Sequence, residues 1–398
     1  MFSRRQLLSG FIAAAGIGPN SSPLRADPIG RPAAEPGNGN VIARIRDAAE
    51  AAGFQYGIAV QAIDRISKPG PDGCGTLADF IRDQAMIYVP GIAFLPEHIQ
   101  PQKDFFTLEQ ARLFIARARR DAKDFRIHCL LYPNHEPDWV AADVNESNWQ
   151  SRMDAHFEAI ASVPGVGSAL NIDVTNELIS ARYDSNDGYR PNTWYRAAGG
   201  PAYIPYAFGK ARALFPDCAL FWCHDHTEQI TDDFHRSQTR LVLNALERAL
   251  KGGAPIDGYN MQGHLQLRLG FDRLRLRSFL NDLKSNLGLM IIIGELDCRT
   301  GYLTDRQTDT LPPKEYKRRQ YDQDSAHLVE AFLDTALPFV KSSGGRQVLT
   351  WGISDIDNSW EENPRTGTPA GERPLPFDTD YRPKLMNAAI IRSFERMI

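Results

Sequence analysis

The chain has 398 residues, 42% hydrophobic and 10% aromatic, and its 45 Lys and Arg against 49 Asp and Glu leave a net charge of −4. That balance excludes attraction to nucleic acid or to an anionic membrane through bulk charge, and the apolar content suffices for a large core. Length alone allows two or three domains, but one parallel α/β barrel can hold this much chain.

In chain order, Ser3, Arg4 and Arg5 precede Leu7 and Leu8, a mild apolar run from Gly10 to Gly18, and Pro19. This pattern resembles a twin-arginine export signal, a receptor-read address rather than an anchor, and the run is far below the ~20 apolar residues that span a bilayer. Residues 1–26 are therefore expected to be a signal, 27–40 a flexible Pro- and Gly-rich leader, and 41–398 one folded domain. The expected product is a periplasmic or secreted monomer without a membrane anchor.

Periodicity then predicts helices over 41–52, 108–123, 149–162, 203–214, 241–250, 271–287 and 314–341, with a closing helix from Pro383. Between them lie apolar strand runs at 56–62, 85–89, 125–132, 169–175, 219–223, 258–261, 290–294 and 347–350. Eight strands alternating with helices imply parallel pairing through helical crossovers, and favour a closed (β/α)8 TIM barrel in the α/β class. The five cysteines, Cys74, Cys129, Cys218, Cys223 and Cys298, have no paired CxxC spacing, so neither a zinc site nor a disulfide framework is expected.

Chemistry is sought where a barrel puts it, at the C-terminal ends of its strands. The run NIDVTNELIS places Asn176 and Glu177 where one apolar strand stops, and MIIIGELDC repeats the design with Glu295 and Asp297 about three strands later. Two carboxylates on separate strand ends suit cleavage of a glycosidic bond, which needs one acid for the leaving oxygen and one carboxylate at the anomeric carbon. Other strand ends carry His128, His224 with Asp225, Gln262 with His264, and Trp351 with Asp355, all expected to converge on one face. No Gly-rich phosphate loop follows a strand and the histidines lack helical metal spacing, so neither cofactor nor metal is expected.

These residues resemble family 10 of the glycoside hydrolases, the endo-β-1,4-xylanase family. DVTNE (173–177) resembles its acid/base motif, GELD (294–297) its nucleophile motif, and MQGHL (261–265) its sixth-strand Gln-x-His. WGISD with Ser359 and Trp360 resembles the eighth-strand motif, and RIHCLLYPNHEPDW and FPDCALFWCHD fit the third and fifth strands, with His224 where the family usually has Asn. The likeness runs in order over most of residues 55–395. One departure is plain: YVPGIAFLP (88–96) replaces all three members of the family's Glu-Asn and Lys cluster after the second strand.

The resemblance implies a retaining endo-glycosidase acting on a β-1,4-linked, xylan-like polysaccharide, with Glu295 as nucleophile and Glu177 as acid and then base. It also implies sugar contacts from His128, Tyr132, Asn176, Gln262, His264, Trp351 and Trp360, with the aromatic rings as platforms. Asp297, His224 and Asp225 would support them, Asp297 by orienting His264. The altered second-strand loop keeps open a glycanase for another bacterial exopolysaccharide, and a barrel that binds glycan without turnover is the reading from a different class.

Overall fold

The computed structural model describes residues 44–60, 67, 75–183, 187–300, 315–357 and 372–398. The expected signal and leader, Cys74 and Trp360 lie outside the described residues. Among those described, no helix is long and apolar enough to cross a membrane.

Among the described residues ten strands form: β1 (Gln55–Val60), β2 (Ile87–Pro90), β3 (Asp124–Phe125), β4 (Ile127–Leu131), β5 (Asn171–Asn176), β6 (Ala219–His224), β7 (Gly258–Met261), β8 (His264–Gln266), β9 (Met290–Arg299) and β10 (Gln347–Thr350). Nine lie side by side, all parallel, in the order β3-β2-β1-β10-β9-β7-β6-β5-β4. Only Arg126 separates β3 from β4, and its N–H donates to Tyr88 O at 3.0 Å. The two ends of the sheet thus meet within one continuous run of chain, which gives the eight strand positions expected of the barrel. The extra strand, β8, pairs with β9 and sets His264 beside Asp297.

The helices follow the predicted alternation, with short additional helices at Pro96–Ile99, Asp138–Asp143 and Thr193–Ala197 and three larger differences. The run 241–250 is the end of a longer helix, Asp233–Lys251, whose first turns are polar but are capped by the Asp232 carboxylate accepting from His235 N–H. The segment 271–287 is helical over Arg273–Asn281 and then widens into a π turn over Asp282–Asn286. A further helix, Leu77–Gln84, is nucleated by a reciprocal capping box between Thr76 and Asp79.

Side chains alternate across each strand, so one set faces the helices and the other the barrel axis. Along the axis the filling is divided. Ala59, Ile87, Val89 and Leu349 form a small apolar plug capped by Trp351. The rest is polar: Arg126 donates from Nε to Asn171 Oδ1 (2.7 Å) and from NH2 to Asp173 Oδ1 (2.6 Å), while His128 and Asn260 donate to the same Asp173 carboxylate at 2.9 and 3.1 Å. Asn171 in turn donates to Gln347 Oε1 at 2.8 Å. Gly294 allows this closeness, because a Cβ there would sit 2.1 Å from Asn260 Oδ1.

Both Arg126 and Asp173 are wholly buried. Removing one partner of such a pair leaves an uncompensated interior charge, so Arg126→Leu is expected to lower stability by about 3–5 kcal/mol. Arg44→Ala, which breaks only exposed, solvent-screened ion pairs, is expected to leave it nearly unchanged. Urea unfolding followed by circular dichroism checks both outcomes, and equal losses would contradict the structural role given to Arg126.

Candidate active site

At the C-terminal end of the barrel the loops surround a cleft of about 910 Å3. Its lining includes Glu177, Glu295, His128, Tyr132, Asn176, Gln262, His264, Trp351 and Asp225, so nine of the expected site residues meet in one place. The segment after β2 contributes Gly91, Ile92 and Leu95, a wall without charge.

Glu177 directly follows β5 and takes a left-handed backbone conformation (φ 52°), which aims its side chain into the cleft. Tyr132 O–H donates to its Oε1 at 2.9 Å, Gln262 Nε2 to the same oxygen at 3.0 Å, and Asn134 Nδ2 to Oε2 at 3.1 Å. Arg190 NH2 stands 3.5 Å from Oε2 and 3.5 Å from Asp225 Oδ2. Burial raises the Glu177 pKa above the usual carboxylate range and the Asp225 charge adds to it, against the pull of Arg190, Gln262 and Tyr132.

Glu295 lies within β9 and is nearly inaccessible. His264 Nε2 contacts its Oε2 at 3.2 Å, the Cys223 thiol donates to Oε1 at 3.4 Å, and His128 Nδ1 lies 3.6 Å from Oε1. Burial opposes its charge, but His128, His264 and Arg126 outweigh that penalty and hold its pKa below the ordinary value. The imidazoles respond in kind. Burial disfavours charged His264, yet Asp297 and Glu295 raise its pKa well above normal, and for His128 burial is likewise overcome by Cys129 first and then by Glu295 and Asp173. Asp297 Oδ2 lies 3.0 Å from His264 Nδ1, the orienting contact expected of it.

The other expected residues differ in what they contact within and beneath the cleft. His224 lies beneath the cleft: its Nε2 accepts from Ile179 N–H at 3.0 Å, which leaves the Nδ1 proton for the backbone carbonyl of Asp225 at 2.9 Å, with Asp225 Oδ1 3.1 Å from the same nitrogen. Burial works against ionised Asp225, but His226, His224 and Arg190 together push its pKa far down. Tyr132 is packed against His135 and spends its hydroxyl on Glu177, while Trp351 stands edge-on to both His128 and His264. Asp355 does not join the others, because the chain turns after β10 and its carboxylate is neutralised by Lys384 at 2.9 Å.

Three contributors were given no role from sequence. Asn134 falls in the quoted third-strand segment but beyond the strand's apolar run, and Arg182 and Arg190 sit in a loop where nothing distinguishes a cleft arginine from a solvated one. A second tier supports the site: Glu228 Oε1 accepts from Gly263 N–H, and Gln229 holds Gln266 through both its side-chain atoms, pinning the segment that carries Gln262 and His264. Burial pushes Glu228 up to about 7. His128, Cys223 and Glu295 bring donor atoms within 4.8 Å of one another, a group whose hydrogen bonds to each other, Asp173 and Asn260 account for its closeness. Cys129, Cys218, Cys223 and Cys298 are buried free thiols.

Known proteins share this arrangement of chain. Xylanase 10B from Thermotoga maritima superposes with a TM-score of 0.72 at 23% identity, covering 89% of this chain and 98% of that one. A family 10 structure from Paenibacillus barcinonensis gives 0.73 at 22%, covering 88% and 97%. Among curated sequences, endo-1,4-beta-xylanase A of Cellvibrio japonicus is 27% identical over 70% of this chain and 46% of its own length. Endo-1,4-beta-xylanase 1 of Humicola insolens is 26% identical over 72% and 59%. The match thus spans about half the length of these relatives. Residues 44–393 match Glycosyl hydrolase family 10, and the chain belongs to that family.

Proposed function

We propose that the protein is a retaining endo-glycosidase that hydrolyses a β-1,4-linked, xylan-like polysaccharide, with Glu177 as acid and base and Glu295 as nucleophile. The observation that carries this reading is the opposite shift of two carboxylates in one cleft, Glu177 raised and Glu295 lowered. Environments that separate the pKa values of paired acids assign them different roles. The names of the xylanase relatives support the same chemistry.

In the first step Glu177 gives its proton to the glycosidic oxygen as Glu295 attacks the anomeric carbon; the C–O bond breaks and an ester to Glu295 forms. Esterification removes the Glu295 charge, so Glu177 ionises more readily and takes a proton from the water that attacks the same carbon. The second displacement frees Glu295 and returns the proton to Glu177. Asn176 is placed to bind the hydroxyl beside the reacting carbon, since Gln262 Nε2 already fixes its Oδ1 at 3.1 Å. Gln262 Oε1, buried and without a protein partner, is an acceptor for a second hydroxyl. Trp351 offers a ring at the cleft floor. Residues 1–26 support export, and a polymer substrate outside the cytoplasm suits a secreted or periplasmic enzyme.

Reducing-end release from xylan tests the reading directly. Glu295→Ala is expected to lose nearly all turnover while keeping its circular dichroism spectrum, and Glu177→Gln to lose about 10²–10⁴-fold. Undiminished hydrolysis by either variant would overturn the assignment, and an inverted anomer in the first product seen by NMR would overturn the retaining course.

The pH profile offers an independent check. Activity is lost on the acid side as Glu295 is protonated through its lowered pKa, and on the alkaline side as Glu177 loses its proton through its raised one. Asp225→Asn removes a charge that raises Glu177 and is expected to move the alkaline limb of kcat/KM to lower pH; Arg190→Met removes one that lowers it and is expected to move that limb higher. Limbs that move together, or not at all, contradict the pairing.

A further inference from the structure

The loops after β5 and β6 carry one cation that the mechanism does not use. Arg182 lines the cleft and is exposed, and its guanidinium carbon lies 5.6 Å from the centroid of the Phe234 ring. Among the described residues no carboxylate lies within ion-pairing distance of it. Arg190, its neighbour in the loop, differs: it is divided between Glu177 and Asp225. With Glu177 protonated, Arg190 and Asp225 cancel, and burial keeps His226 toward its neutral form. Arg182 is therefore a surplus positive charge on this side of a cleft whose protein carries a net charge of −4.

We propose that Arg182 is a specificity-determining residue which binds the carboxylate of a hexuronic acid group, so that the polysaccharide cleaved is an acidic one. The inference rests on the glycosidase reading above and names its substrate class. Three features of the site support it. A guanidinium presents a planar fork that matches both oxygens of a carboxylate, whereas a neutral sugar hydroxyl uses one N–H at a time. The Phe234 ring holds the cation in place, and that ring is itself packed against His226, so less side-chain freedom is lost on binding than for an unsupported surface arginine. Tyr183, adjacent in sequence, is 39% exposed and lines the same cleft, providing an apolar face for the sugar that bears the acid. The wall of Gly91, Ile92 and Leu95 carries no charge, so the arginines of the lining lie on other sides of the cleft, Arg182 and Arg190 in the loop after β5 and Arg299 at the end of β9.

The test compares glucuronoxylan with the same polymer after its carboxyl groups have been reduced to alcohols. The protein is expected to cleave the acidic polymer with a kcat/KM about tenfold or more above the reduced one. Arg182→Gln should bring that ratio close to one and Arg182→Lys should keep part of it, and added salt should erode the preference. A ratio unchanged by Arg182→Gln overturns the proposal. Calorimetry on the Glu295→Ala protein, with a glucuronic acid-bearing xylo-oligosaccharide and its reduced counterpart, separates the two readings. Tighter binding of the acidic ligand that depends on Arg182 supports the proposal even if no polymer is hydrolysed, and equal binding overturns it even if both polymers are. Failure of the intact protein to cleave any polymer counts against the glycosidase reading alone.

Discussion

The carboxylate of Asp173, sealed on the barrel axis, is the interaction on which the site depends. A bare charge there would be prohibitive, and it is tolerable because Arg126, His128 and Asn260 supply hydrogen bonds from β4, β7 and the Arg126 link between β3 and β4. Each of those partners is thereby fixed. His128 is fixed facing Glu295, and Asn260 within reach of the Cys223 thiol that donates to Glu295. A structural ion pair and the Glu295 carboxylate thus share one connected network, with the pair sealed on the axis and Glu295 lining the cleft.

The two glutamates are held in different ways. Every contact to Glu295 comes from strand residues, so its surroundings are as rigid as the barrel itself. Glu177 is held mainly by loops: Tyr132 and Asn134 follow β4 and Arg190 follows β5, with Gln262 reaching over from the end of β7. On the proposed assignment, the nucleophile needs one position and one charge state, while the acid that gives up a proton and later recovers it benefits from neighbours that can adjust; strands around one glutamate and loops around the other suit both needs.

Much of this was legible before any coordinates. The strand sites announce themselves because an apolar run gives way to a polar residue, and Glu177, Glu295, Gln262 and Trp351 follow such runs, although β9 continues through Glu295 to Arg299. The contact between Asp297 and His264 is what the family resemblance implies. What the pattern conceals is which way a polar residue faces and what it spends its donors on. Asp355 also ends a strand run, but the chain turns and Lys384 claims it. Tyr132 reads as a platform for sugar, and nothing in the sequence shows that its hydroxyl also donates to Glu177. Asp173 stood inside the quoted DVTNE motif without a role, since nothing local reveals that Arg126, His128 and Asn260 from distant segments close around it. Arg190, Arg182 and Asn134 belong to loops, where three-dimensional placement alone sets a cleft residue apart from a solvated one.

The left-handed backbone of Glu177 carries a cost of its own. A side chain longer than Asn at φ 52° costs on the order of 1–3 kcal/mol, and glycine would sit there without that strain. Relief of that strain is offset by what the carboxylate gathers: without it Tyr132, Gln262, Asn134 and Arg190 lose their shared acceptor. The strained conformation is therefore held in place by its neighbours, and glycine there would exchange backbone ease for a cluster of stranded donors.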